Sequence, residues 1–219
     1  MDGMEMVTAE TKSAESQQSQ GNTITSAQKY VFEQSLVPTR FRNKTLKGYE
    51  TTMRPDPRVV AMEALRAGRG LFLTGGLGTG KTHLAVACAA RLITTTEMKI
   101  NKITGIGVKY SFQFLPTCEL FLELKAAFSL PDGEKSILDK YCSQDLIVLD
   151  DVATEKVSEW SRQIFYTMID RLSRNMKQVI ITSNLGLNEL SAAIDDRIAS
   201  RIVEMCTVIK LEGRDRRLK

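Results

Sequence analysis

The chain has 219 residues, of which 42% are apolar and 26% charged. That is enough for one α/β core of roughly 150–200 residues, and it excludes a chain disordered throughout. A formal net charge of +4, from 30 basic and 26 acidic residues, is too mild to demand a nucleic-acid partner, although a local basic patch remains possible.

Residues 1–28 are rich in Ser, Thr and Gln with few large apolar side chains, so they cannot offset their ordering entropy and read as flexible. From Tyr30 the aromatics predict a short helix, and Val37-Pro38 then begins an extended lead-in. The expected division is a flexible N-terminal segment over 1–35 and one folded domain over 36–219. "DPRVVAMEALRAG" predicts a helix capped by Asp56, with Pro57 in its first turn and Gly68 at its end. "GLFLTG" is a buried strand, and "KTHLAVACAARLI" carries Leu84, Val86, Ala87, Ala90 and Leu92 at helical spacing.

A strand is expected from about Val108 to Phe114, then a helix over "PTCELFLELKAAF" with Pro116 in its first turn, and a turn at Asp132-Gly133. "DLIVLDD" is the most strand-like run. In the next helix Trp160, Ile164, Phe165, Met168, Ile169 and Leu172 form one apolar stripe, which reads as core. "QVIITSN" is a strand, "LNELSAAIDDRIASRIVEM" a helix broken once, and "CTVIKLEG" a last strand. Apolar strands alternating with helices predict an α/β fold: a central parallel sheet covered on both faces, three layers in all. Four cysteines, Cys88, Cys118, Cys142 and Cys206, stand apart without a C-x-x-C pair, and one histidine is present. Reduced thiols and a soluble cytoplasmic protein without a membrane partner are expected, since no run approaches about 18 apolar residues.

Gly75-Gly76-Leu77-Gly78-Thr79-Gly80-Lys81-Thr82 satisfies G-x-x-x-x-G-K-[ST] between a strand and a helix. Glycines let backbone N–H groups turn toward phosphate oxygens, and the helix starting near Lys81 adds its positive end. Lys81 is expected on the β- and γ-phosphates, and the Thr82 hydroxyl on Mg2+. "LIVLDD" places Asp150 at the sheet's C-terminal edge as a Mg2+ partner and Asp151 as the acid that orients the attacking water. Asn184, at the tip of "VIITSN", is placed to hold that water or touch the γ-phosphate. Arg197 and Arg201 share one helical face. They are either surface partners of Asp195, Asp196 or Glu204, or Arg201 is presented to a neighbouring subunit's γ-phosphate. The closing "GRDRRLK" is a solvated basic end, a contact to nucleotide, or a contact to the DNA backbone. His83 reads as a packing or capping residue beside the loop.

Taken together, "GLGTGKTHLA", "LIVLDDVATE", "VIITSN", "RIASRIVE" and "LEGRDRR" resemble the DnaC/IstB group of AAA+ ATPases over roughly residues 36–219. The resemblance implies ATP and Mg2+ as ligands. Lys81 and Thr82 match the Walker A pair, with His83 continuing the motif, and Asp150 and Asp151 match the Walker B acids. Asn184 matches sensor 1, Arg201 the arginine finger, and Arg217 the arginine of the sensor-2 region. Phe41 and Arg42, in "VPTRFRNKTLKGY", are implied near the base.

The group's roles imply an ATP-hydrolysing DNA replication protein with sites shared between subunits. It would self-associate into a ring or spiral on single-stranded DNA and load a hexameric replicative helicase, with Lys125 among the candidate DNA contacts. The alternative is a transposition helper of the IstB kind, assembling on duplex DNA with the same catalytic residues. Helicase loaders commonly carry a larger N-terminal helicase-binding domain, sometimes with a zinc cluster. With about 35 residues before the core here, the expectation is that a short helix around Tyr30–Leu36 docks on the helicase, or that the partner is bound differently. A third class, a small-molecule kinase, would need an arginine-bearing lid after "LDD", and no such insertion is visible.

Overall fold

The computed structural model describes residues 35–95, 99–100, 107–108, 111–152 and 158–217. The helix expected from Tyr30 falls mostly outside these, and Ser35 and Leu36 form a turn. The lead-in is not extended throughout. Behind Pro38 the chain tightens into a 3-10 turn, Thr39–Phe41, closed by the Phe41 and Arg42 N–H groups on the carbonyls of Pro38 and Thr39.

Helix α1, Pro57–Arg66, starts as its sequence dictates: the Asp56 carboxylate accepts the Arg58 N–H at 2.9 Å, and proline occupies the first position. Gly68, at φ +80°, ends it. Strand β1, Gly70–Thr74, is buried at every position, and α2, Lys81–Thr95, follows the glycine loop. A two-residue antiparallel pair, β2 (Lys99–Ile100) with β3 (Gly107–Val108), precedes β4, Phe112–Pro116. The strand expected from Val108 therefore begins at Phe112, with residues 109–110 outside those described. Pro116 is the last residue of β4 and caps α3, Thr117–Ala126, rather than lying in its first turn.

Helix α4, Gly133–Cys142, was not visible in the turn signal that precedes it. Asp132 does take a left-handed turn conformation, at φ +54°, but a helix starts at once. Its burial of Leu138, Tyr141 and Cys142 supplies the stabilisation that its polar sequence hides. Then come β5 (Leu146–Val152), α5 (Glu159–Arg174), β6 (Gln178–Ser183), α6 (Leu187–Ala193), α7 (Asp196–Met205) and β7 (Cys206–Lys210). The expected break in the last helical region falls between α6 and α7, where Asp195 caps α7 through the Arg197 N–H at 2.7 Å.

The five long strands form one parallel sheet in the order β4-β5-β6-β1-β7. One face carries Leu71, Leu73, Leu146, Val148 and Ile180 against α1, α2 and the lead-in. The other carries Phe72, Ile147, Leu149, Val179 and Ile181 against the apolar stripe of α5, including Ile164, Phe165, Met168, Ile169 and Leu172. Two buried layers on a parallel sheet explain why its strands read as apolar runs rather than alternations. Strand β1 lies between β6 and β7. The chain leaves β1 through α2 toward β4, and leaves β6 through α6 and α7 toward β7 on the opposite side. Connections diverging in this way open a crevice at the strands' C-terminal ends.

Candidate nucleotide site

The crevice is walled by the loop after β1, the end of β5 and the end of β6. The loop needs glycine where the chain turns left-handed, as at Gly78 (φ +67°) and Gly80 (φ +97°). Thr79 is buried and ties the loop to itself, its hydroxyl donating to the Gly76 carbonyl at 2.9 Å. Leu77 projects outward. Lys81 opens α2 with its side chain folded back under the loop. Its Nζ donates to the carbonyls of Gly75 and Gly76, both at 2.8 Å, and to Asn184 Oδ1 at 2.7 Å. Burial lowers the Lys81 pKa, while Asp151 and Asp150 oppose that and the positive charge of Arg217 adds to it.

Strand β5 is where two consecutive carboxylates become usable. Ile147 and Leu149 face the α5 layer, so regular alternation would bury Asp151 there as well. Instead Val152 takes that place, because the pairing with β6 shifts between Leu149 and Val152. The bulge leaves Asp151 at φ +62°, a conformation rare for a residue with a side chain, and turns it outward. Asp150 keeps the α2 side. Its Oδ1 accepts from the hydroxyls of Thr182 at 2.7 Å and Thr82 at 2.9 Å. Burial raises the Asp150 pKa, those hydroxyl bonds lower it, Asp151 raises it and Lys81 lowers it. Asn184 Nδ2 donates to Asp151 Oδ1 at 3.3 Å. One continuous chain of contacts thus joins Thr82, Asp150, Thr182, Asp151, Asn184 and Lys81.

Two expected site residues, His83 and Arg201, sit outside this cluster, and Arg217 is held beside the glycine loop by an acid of its own. His83 faces the lead-in: its Nε2 lies 3.1 Å from the Thr45 carbonyl, and its ring meets Tyr49 edge-on at 5.2 Å. Burial lowers its pKa, so it docks the lead-in on α2 as a neutral ring. Arg201 lies on α7 with its guanidinium on Glu204 at 2.8 Å and Asp170 at 3.6 Å, both outside the site. Its neighbour Arg197 pairs with Asp195 at 2.8 Å. Arg217 pairs with Asp215 at 2.8 Å. Arg42 bonds the Val37 carbonyl at 2.8 Å, and Phe41 packs on the core layer that includes Tyr49. No helix among the described residues is long and apolar enough to cross a membrane.

Several participants escaped the sequence reading. Thr182 bridges the two acids, donating to Asp150 and accepting the Asp151 N–H at 2.9 Å. The only signal was a polar residue of β6 standing two before Asn184. Thr117 donates to the Asp150 carbonyl at 3.0 Å. Tyr49, wholly buried, reaches the Thr79 carbonyl at 3.4 Å and carries the Arg216 guanidinium 4.5 Å over its ring.

A parallel sheet in this order, with a glycine loop and lysine after β1 and paired acids on β5, defines a P-loop protein of the AAA+ type. The chain belongs to the IstB-like ATP binding protein family, whose model matches residues 42–219. Among solved structures it is similar to the DnaC helicase loader (26% identity, TM-score 0.63, covering 80% of this chain and 100% of that one). It also shares its fold with DnaI, at 24% identity and TM-score 0.63, covering 82% of this chain and 93% of that one. Curated relatives include the phage-like element PBSX protein XkdC of Bacillus subtilis, 26% identical over 142 residues, covering 63% of this chain and 47% of that one. Chromosomal replication initiator protein DnaA of Nostoc punctiforme is 27% identical over 138 residues, covering 60% of this chain and 26% of that one. The chain spans about half the length of XkdC and about a quarter of that DnaA.

Proposed function

We propose that the protein binds and hydrolyses ATP in a site completed by a second copy of itself, and that it serves DNA replication by assembling on single-stranded DNA and loading a hexameric helicase. The observation that carries this reading is the division of polar residues. Lys81, Thr82, Asp150, Asp151 and Asn184 form one connected cluster, whereas Arg201 stands on another element with its own acidic partners. An arginine so placed acts on a neighbour's nucleotide, as helper arginines supplied in trans do. The likeness to the DnaC helicase loader, spanning all of that chain, favours helicase loading. The IstB-like family match keeps target selection on duplex DNA as a second reading.

The cluster suits a hard divalent ion. Thr82 Oγ1 and Asp150 Oδ1 are both oxygen donors and lie 2.9 Å apart at the end of the loop. Thr82 and Asp150 would hold Mg2+, which supplies charge neutralisation at the β- and γ-phosphate oxygens. In this reading Lys81 leaves the loop carbonyls for the phosphates, where its bond to Asn184 keeps it aimed. Asp151, turned out by the bulge, accepts a hydrogen bond from the attacking water. Asn184, already bonded to Asp151, fixes that water's approach.

Turnover measured against protein concentration tests the proposal. Lys81→Ala should lose ATP binding, and Arg201→Ala should bind ATP yet lose about 10³-fold or more in hydrolysis. Mixing the two inactive variants should restore turnover, because intact sites form at mixed interfaces. No rescue on mixing, with turnover per molecule independent of concentration, overturns the shared site. Stimulation by duplex rather than single-stranded DNA, with no helicase retained in the ATP state, selects the second reading.

A further inference from the structure

Residues 213–217 lie across the glycine loop. The Arg216 N–H donates to the Gly78 carbonyl at 3.1 Å, and the Arg216 side chain flanks Gly80 as well as Tyr49. Asp215 reaches the loop itself, since a Cβ on Gly78 would run into its carboxylate. Arg217 grips that carboxylate: its backbone N–H and Nε donate to Oδ1, each at 2.9 Å, and its Nη2 donates to Oδ2 at 2.8 Å. The Asp215 side chain is 22% exposed and that of Arg217 65%, so the acid is wedged against the loop while the cation faces solvent.

We propose that Asp215 is a positioning residue that sets nucleotide affinity by competing with phosphate. It holds Arg217 on its own carboxylate and keeps a negative charge against the loop until a bound triphosphate takes the guanidinium from it. This rests on the loop being the ATP site. Arginine forks fit carboxylate and phosphate alike, and the phosphate carries more charge. An exposed pair of this kind contributes little to stability, so its exchange is cheap. Arg217 needs no long excursion, because the carboxylate that holds it already lies against Gly78 of the loop. Once Arg217 leaves, Asp215 stands bare beside bound phosphates, and repulsion loosens residues 213–217 from Gly78.

Titration calorimetry with AMPPCP, ADP and adenosine on the full chain, native and Asp215→Asn, tests the exchange. Asparagine keeps the shape and the acceptor for the Arg217 N–H while removing the charge. The variant should bind AMPPCP about three- to tenfold more tightly at low salt, ADP by less, and adenosine equally, with the gain shrinking at about 0.5 M salt. Hydrogen exchange at residues 213–217 should quicken in the native chain when AMPPCP binds. A uniform change across the three ligands, weaker AMPPCP binding, or unchanged exchange overturns the proposal. If the native chain binds AMPPCP and the asparagine variant shows no phosphate-dependent gain, only the role of Asp215 falls. If neither chain binds any nucleotide, the ATP site itself falls with it.

Discussion

Thr182→Val isolates the hydroxyl that organises the acids of β5. Valine keeps the volume and the β-branch that a central strand favours, at a position 1% exposed. Two bonds disappear: the donation to Asp150 at 2.7 Å and the acceptance from the Asp151 N–H at 2.9 Å. A bond to a charged group contributes about 1.5–3 kcal/mol, and an orphaned N–H near solvent costs about 1 kcal/mol. The variant should therefore lose about 2–4 kcal/mol of a domain total of about 5–15 kcal/mol, and still fold. Its melting point should fall by about 4–16 °C. The loss should also depend on pH. Burial holds the Asp150 carboxyl above the usual carboxylate range, and the Thr182 bond is the largest influence opposing it; without that bond the carboxyl rises further. A carboxyl whose native pKa exceeds its unfolded one binds more protons in the native state, so stability falls as pH rises from the unfolded value to the native one. The deficit should be larger at pH 7.5 than at pH 4, read from urea midpoints of both chains. A deficit below about 0.5 kcal/mol, against the bond energies above, or one larger at pH 4, would refute the reasoning.

Gly70 opens β1 where a Cβ would lie 2.5 Å from the Val179 carbonyl oxygen and 2.9 Å from Cys206 Sγ. Gly70→Ala should cost about 1–3 kcal/mol or more through overpacking between β6 and β7, and an unchanged denaturation midpoint would contradict the register. Among the cysteines, burial pushes Cys88 and Cys206 up to about 12 and Cys142 up to about 11, while Cys118 is exposed. A thiol reagent at pH 8 should label one site quickly in the folded protein and the other three only on unfolding. A fast phase that survives Cys118→Ser would show this burial pattern to be wrong.

The sheet was legible because each long strand is buried on both faces, so that "LFLT", "LIVL" and "VIIT" carry no helical period. The start of α1 was legible because its cap is local: the Asp56 carboxylate accepts an N–H two residues on. What stayed hidden depends on distant partners. Helix α4 shows a polar face to the reader and earns its place by burying Leu138, Tyr141 and Cys142 in the layer that also holds α5. Pro116 was assigned to α3 because proline favours first turns, but its pairing with Asp150 in the sheet register keeps it in β4.

The same division runs through the site. Lys81, Thr82, Asp150 and Asn184 were readable because a phosphate loop, an acid-ended strand and a polar-ended strand are local patterns with a chemical reason behind them. The consecutive acids pose a problem that no local pattern answers, since adjacent strand residues point to opposite faces. The register shift against β6 answers it, and Thr182 ties that shift to both acids. Residues 213–217 extend the point. Four basic residues around Asp215 read as a basic end, solvated or in contact with nucleotide or DNA, because charge counting sees the cations and discounts the lone acid. Folding reverses the weights: Arg217 faces solvent, while Asp215 is wedged against Gly78. The glycine required at position 78 by its left-handed φ is thus required a second time, by a carboxylate from the far end of the chain.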